Sequence, residues 1–359
     1  AGALASAVDL PAAGIAPSLW HAHEMVFGFA LAIIVGTVLT ALPSWAGTEE
    51  TAGGRLALLA ALWLAGRVAF WFAPWLPPWT VALADVLLLP VLTAMLLPPL
   101  LRARDRRYLW LLPVMLALAV ASVAYHAAML AGDAAGALRA VHGAVYAVMV
   151  LFVLKGGVLT PVFTDTALRA LGRAGLPPFS LALEIGAAGG IALLAALDLG
   201  GAPAPWLGAA AAGCAALHLV RTARWRGWQV AAQPLLSSMH LGFAWLILAL
   251  ALHAAARFTD AVPADAWLHA FTVGALGMMM LGLMTRVALR HTGRPLVVPP
   301  SIRLALLLAF VAAALRLAAT VHGLGHTVVA AAAALWAAAF LIYLGRFGGY
   351  LVGPSLPRS

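Results

Sequence analysis

The sequence predicts an all-α fold, a polytopic bundle of transmembrane helices, and three observations predict it. Hydrophobic residues fill 64% of the 359 positions and charged residues only 9%, against roughly 25% charged in a soluble domain. Apolar stretches of about 20 residues, the length that crosses a bilayer as a helix, follow one another along the chain. The basic residues collect in alternate short loops between them, the bias of cytoplasmic loops in membrane proteins. A net charge of +9 would suggest nucleic acid in a soluble protein. Confined to loops between spans, it does not, and nucleic acid is excluded as a partner; the lipid bilayer is the partner instead.

Eleven spans are expected, within a single multi-span domain over residues 1–359. The first, 20–42, opens on Trp20. The second, 56–73, is separated from the third, 79–101, by Pro77-Pro78, a helix-breaking pair. The fourth, 108–131, follows the basic run Arg102–Arg107, and the fifth covers 137–158. Pro177-Pro178 precedes the sixth, 179–197. The seventh, 205–220, ends ahead of Arg221, Arg224 and Arg226. The eighth and ninth, 235–256 and 266–285, flank an outer loop. Pro299-Pro300 precedes the tenth, 302–320, and the eleventh, 327–344, ends at Arg346. No soluble linker, low-complexity tail or internal repeat stands out.

Charge sets the orientation. The odd loops and the C-terminal segment hold 16 basic residues (Arg55; Arg102, Arg104, Arg106, Arg107; Arg169, Arg173; Arg221, Arg224, Arg226; Arg286, Arg290, Arg294, Arg303; Arg346, Arg358). The even loops hold 2, Arg139 and Arg257, and Arg67, Lys155 and Arg316 fall inside spans. The odd loops are therefore expected to be cytoplasmic, with the start of the first span outside and the C-terminus inside. This places eight of the eleven histidines near the outer, periplasmic face: His21, His23, His126, His142, His253, His269, His322 and His326. His218 and His240 fall near inner ends, and His291 in a cytoplasmic loop. An outward start and a first residue other than Met imply that an upstream piece precedes Ala1. The single cysteine, Cys214, excludes an intrachain disulfide and a Cys-x-x-Cys-His haem attachment, so any haem is held non-covalently.

Trp20-His21-Ala22-His23-Glu24-Met25 places two imidazoles and a carboxylate where the first span begins. Ionisable groups in hydrocarbon are expensive and usually functional, and neutral imidazole is the commonest protein metal ligand. The alternative is an interfacial pair touching headgroups and water. His21 and Glu24 share a helix face, whereas His23 points about 200° away from His21. Glu24 has three open roles: orienting a ligand ring, relaying protons, or simply favouring the helix start. Arg67 and Asp85 sit at similar depth on adjacent spans and are expected to pair, since an unpaired charge there is costly; Lys155 and Glu184 are a second candidate pair. His126 and His142, on consecutive helices at one depth, are candidates to face each other. In the ninth span His269, Thr272, Leu276 and Met280 fall on one stripe of an unbroken α-helix. Thioethers such as Met280 suit Cu(I), with ordinary core or lipid-facing packing as the alternative. Arg286, His291 and Arg294 form a donor-rich turn suited to propionates or phosphate, or to positive-inside anchoring.

Several blocks resemble the NnrS family. They are Trp20–Phe29 (WHAHEMVFGF) with Leu39–Gly47, then Met239–Leu246, then Leu268–Ala270 through Thr285-Arg286 to His291–Pro295. Gly156–Thr164 is a weaker match, with Val158 where the family commonly has Arg. The resemblance covers essentially the whole chain. It implies a bacterial inner-membrane protein of twelve spans that binds haem b and copper and acts in the nitric oxide response, nitric oxide resistance or denitrification. His21, His23, Glu24, His240, His269, Arg286 and His291 fall in its recurrent blocks. On this basis His21, His23, His269 and His240, with Arg286, are the expected haem residues. His126, His142 and His253, from the outer histidine layer, and Met280, on the stripe below His269, are the expected copper residues, and proton relay stays one of the open roles of Glu24. Nitric oxide or another diatomic gas is the expected small-molecule partner, with turnover, and any redox partner or oxidase complex, left open.

Two other classes stay in view. A quinol-linked b-type redox enzyme or oxidase assembly subunit needs paired histidines at two depths, and only His218 and His240 serve the inner one. A transporter is expected to show short, interrupted spans in matching halves, and none stands out. A Soret band separates the haem reading from the transporter.

Overall fold

The computed structural model describes residues 15–103 and 106–356, and every regular element there is helical. Ten helices are long and apolar enough to cross a membrane: Pro17–Pro43, Gly53–Trp71, Pro78–Arg102, Tyr108–Leu130, Ala134–Ala170, Leu181–Leu199, Pro234–Ala255, Ala266–His291, Pro300–Val321 and His326–Val352. The chain is a multi-pass membrane protein. The expected seventh span exists as a helix, Ala204–Ala223, but is not among the ten; it carries His218 and Arg221 in its second half.

The chain divides into two compact units, the first ending at Leu151 and the second beginning at Phe152. In the first unit α1 (Pro17–His23) runs through a π-helical segment, Glu24–Ala30, into α2 (Leu31–Ala46). Then come α3 (Gly53–Trp71), α4 (Pro78–Val86), α5 (Leu88–Arg102), α6 (Leu111–Leu130) and α7 (Ala134–Leu151). Helix α3 packs on α4, and α6 packs on α7 as a tight hairpin. Gly132 makes that hairpin possible, because its φ of +71° lies in the left-handed region that only glycine enters without cost.

The second unit opens with a π-helical segment, Phe152–Gly156, followed by α8 (Gly157–Ala170), α9 (Leu181–Leu199), α10 (Ala204–Ala223) and α11 (Pro234–Ala255). A third π segment, Ala270–Leu276, joins α12 (Ala266–His269) to α13 (Gly277–His291), and α14 (Pro300–Val321) and α15 (His326–Val352) complete it. Neighbours α9–α10, α10–α11, α11–α13 and α14–α15 pack against each other. Pro17, Pro78, Pro234 and Pro300 each occupy a first helical turn, where a missing N–H costs nothing. Leu64, Leu116, Leu193, Leu307 and Leu341 are exposed, which suits helices that are apolar all round and face lipid. Exposed Trp71, Trp75 and Trp79 gather at one end of α3 and α4, as aromatic residues do at membrane interfaces.

The π segments correct two expectations. The fifth span was expected to stop at residue 158; the helix instead runs on past Gly156-Gly157 and Pro161 to Ala170. The stripe from His269 to Met280 assumed an unbroken 3.6-residue period. Ala270–Leu276 is wound with i→i+5 bonding, which shifts the register by about one residue, so those four residues do not share one straight face.

Candidate metal centre

Helix α1 sends its two histidines in opposite directions, as the 100° step per residue requires. His21 is exposed and His23 fully buried. The His23 ring stacks on Phe70 at a centroid distance of 4.2 Å and also touches Tyr125 and Phe27 at 4.5 and 5.0 Å. Its Nε2 lies 3.1 Å from Asp85 Oδ2 on α4, and His126 Nε2 on α6 lies 3.0 Å from the same oxygen. The donor atoms of His23, Asp85 and His126 all fall within 4.8 Å of one another. Ser122 Oγ stands 3.5 Å from that oxygen.

A second layer holds this trio. Arg67 donates through Nη2 to Asp85 Oδ1 and through Nη1 to Glu24 Oε1, which establishes the expected Arg67–Asp85 pair and extends it. Glu24 Oε1 is also 3.2 Å from His23 Nδ1. Two glycines let these charges approach. A Cβ at Gly28 would stand 3.0 Å from Arg67 Nη1, and one at Gly66 would stand 3.1 Å from the Asp85 backbone. Trp63 Nε1 donates to Gly28 O at 2.9 Å, tying α3 to the π segment that begins at Glu24.

The electrostatics call for a further positive charge. Two carboxylates face one guanidinium, and both nitrogens of His23 face carboxylate oxygens. A neutral imidazole carries a single N–H, so a second proton or a cation must satisfy the other contact. Beside Arg67 and Asp85 runs a crevice walled by Leu31, Leu62, Trp63, Leu88 and Leu89, too narrow for a water molecule.

Other expected site residues lie elsewhere. His142 is half-buried on α7. In the second unit His253 is buried, 4.6 Å from the Trp267 ring, with Nε2 4.0 Å from Asp198 Oδ2. His269 Nε2 meets Arg316 Nη2 at 2.8 Å, and His240 Nε2 meets Thr164 Oγ1 at 2.9 Å. Arg286 lies over the Phe163 ring at 3.7 Å, and Met280 is buried. The structure thus joins His23, expected with haem, to His126, expected with copper, around an aspartate that sequence reasoning used only as an ion-pair partner. Its position at the depth of both histidines was the available signal.

The second unit has a buried charge pair of its own. Arg221, counted with the loop cations, is 1% exposed. It donates to both oxygens of Glu184, through Nε at 2.9 Å and through Nη2. Nη2 also reaches Val153 O, inside the Phe152–Gly156 π segment, at 3.1 Å. This partner for Glu184 was not foreseen.

No curated relative and no solved structure matches the chain. A family model does: the one described as NnrS protein covers residues 1–355. With essentially the whole length matched, this multi-pass helical chain belongs to the NnrS family.

Proposed function

We propose that the protein acts in the nitric oxide response, in resistance or in denitrification, as a metal-binding protein of the bacterial inner membrane, with copper held by His23, Asp85 and His126. The observation that carries this reading is the convergence of two imidazole nitrogens on one buried carboxylate oxygen. A first-row ion about 2 Å from each donor needs ligands a little over 3 Å apart, close to the spacing present. The unbalanced carboxylate charge favours a cation, and imidazole with carboxylate suits copper, with iron and zinc admitted by the same set. Copper, if held by these three side chains, would supply a one-electron redox centre for nitric oxide or another diatomic gas.

The chain's own groups have separable tasks. Glu24 accepts a proton contact from His23 Nδ1, which leaves Nε2 for the metal and fixes the ring orientation. It is also the carboxylate best placed to deliver a proton to the centre. Arg67 holds Glu24 and Asp85 in register, while Phe27, Phe70 and Tyr125 exclude water. Haem b enters from the family resemblance. The Nε2 atoms of His240 and His269 are engaged by Thr164 and Arg316, so no ligand is assigned and no step is routed through it. In orientation the centre faces the periplasm and the C-terminus the cytoplasm, by the loop charges.

The test is copper per polypeptide in detergent-purified protein and in His126→Ala, Asp85→Asn and His253→Ala. Wild type and His253→Ala retain about one copper, and the other two variants lose it. Copper retained in His126→Ala and Asp85→Asn overturns the assignment; iron or zinc in place of copper changes the metal but keeps the site. A missing Soret band removes haem from the reading.

A further inference from the structure

The centre formed by His23, Asp85 and His126 is buried, so any small molecule that reaches it needs a route through the first unit. On one side the His23 ring is packed by Phe70, Tyr125 and Phe27, with centroids 4.2, 4.5 and 5.0 Å away. Tyr125 is fully buried, and its hydroxyl donates to Leu19 O at 3.4 Å, tying α6 to α1. On the other side the crevice between Leu31, Leu62, Trp63, Leu88 and Leu89 runs up to Arg67, Asp85 and Ser122. Ser122 Oγ stands 3.5 Å from Asp85 Oδ2, the oxygen that both imidazoles share. The crevice therefore ends at the centre.

Its other end lies in the bilayer. Of the lining residues only Leu62 and Trp63 are half-buried, and the rest are buried. Leu62 is the middle residue of α3, Gly53–Trp71, and so stands about 14 Å from either end of that helix. The mouth therefore meets hydrocarbon and neither aqueous layer. It offers no free donor either, because the Trp63 indole N–H is spent on Gly28 O at 2.9 Å. Water and ions lose hydrogen bonds on entering such a seam, and apolar cavities stay dry. An uncharged diatomic gas has no such bonds to lose. The seam is too narrow for a molecule at rest, so passage follows rotamer hops of its leucines. We propose that this crevice admits a small uncharged gas from the bilayer to the centre, with Leu62 setting the rate of passage. This route, which rests on the reading of the centre as a copper site, names how the ligand arrives and which class of ligand is let in.

The test is flash photolysis of carbon monoxide, an unreactive diatomic probe, on the reduced full protein in lipid nanodiscs. Wild type, Leu62→Trp, Leu62→Ala and Leu64→Trp are compared, with copper per polypeptide measured in each. Leu62→Trp is expected to slow binding and release alike by about tenfold, a barrier rise of about 1.4 kcal/mol, and Leu62→Ala to speed both. The affinity stays the same, because a wall residue alters the barrier and not the bound state. Leu64→Trp, at an exposed position on the same helix, leaves both rates unchanged. Azide, small but charged, is expected to leave the spectrum of the oxidised protein unchanged. If Leu62→Trp loses copper, the rate in Leu62→Ala decides. Equal rates in wild type and the Leu62 variants that hold copper, or a spectral shift with azide, overturn the route and leave the copper centre standing. Wild type without copper overturns the centre and the route with it.

Discussion

His23 and His126 come from α1 and α6, and both set Nε2 against one oxygen of Asp85, at 3.1 and 3.0 Å. The shared oxygen is what turns three separate ionisable groups into one centre. Arg67 holds the other oxygen of Asp85 and links it to Glu24, which in turn faces the second nitrogen of His23, so the centre is a closed network.

Removing the one guanidinium from this network leaves buried Asp85 and half-buried Glu24 without their shared cation. Arg67→Gln is expected to destabilise the protein by about 3–5 kcal/mol, the cost of breaking a buried pair. Thermal melts in detergent check this, and copper should raise the melting point of the variant more than that of wild type. An unchanged melt means that the network does not support the fold.

The π segment after His23 aims that ring. Inserting one alanine after Val26 adds a residue to Glu24–Ala30 and turns His23 by about 100° relative to the rest of the span. Circular dichroism should keep its helical amplitude while bound copper disappears. Copper retained after the insertion shows that the register of the segment is irrelevant.

Gly157 rests against the Arg221 guanidinium, and an added Cβ would overlap it. That guanidinium is pinned by Glu184 and Val153 O and cannot step aside. Gly157→Ala should therefore cost about 1–3 kcal/mol, as overpacking does. Gly36→Ala, with no atom within 4 Å of the new carbon, should be neutral or stabilising by about 0.5–1 kcal/mol. Equal melting shifts in the two variants contradict the packing at Arg221.

Orientation can be read in cells. Alkaline phosphatase fused at Gly132, in an even loop, should be active, and fused at Gly172, between Arg169 and Arg173, inactive. The opposite pattern inverts the topology and moves the metal centre to the cytoplasmic side.

The parts of this structure that depend on local rules were legible in the sequence. Charged Arg67 and Asp85 on neighbouring apolar spans had to find each other, and they do. His21 and His23 had to diverge, and one is exposed while the other is buried. What depends on long-range packing was not legible. No spacing rule brings His126 to the oxygen that His23 uses, because that requires α1, α4 and α6 to converge. Arg221 reads as a loop residue because the apolar run ends at Val220; the helix continues to Ala223 and turns the guanidinium inward. The windings at Glu24–Ala30 and Ala270–Leu276 leave no compositional mark, so an idealised helix misplaces the face of Met280.

A π turn differs from an α turn by one residue, and such turns occur mostly as isolated bulges inside α-helices. The winding that begins at Glu24 therefore makes the centre sensitive to a single in-frame codon. Family members that have given up the site should carry a one-residue insertion between the positions of His23 and Leu31, even where every ligand is still encoded.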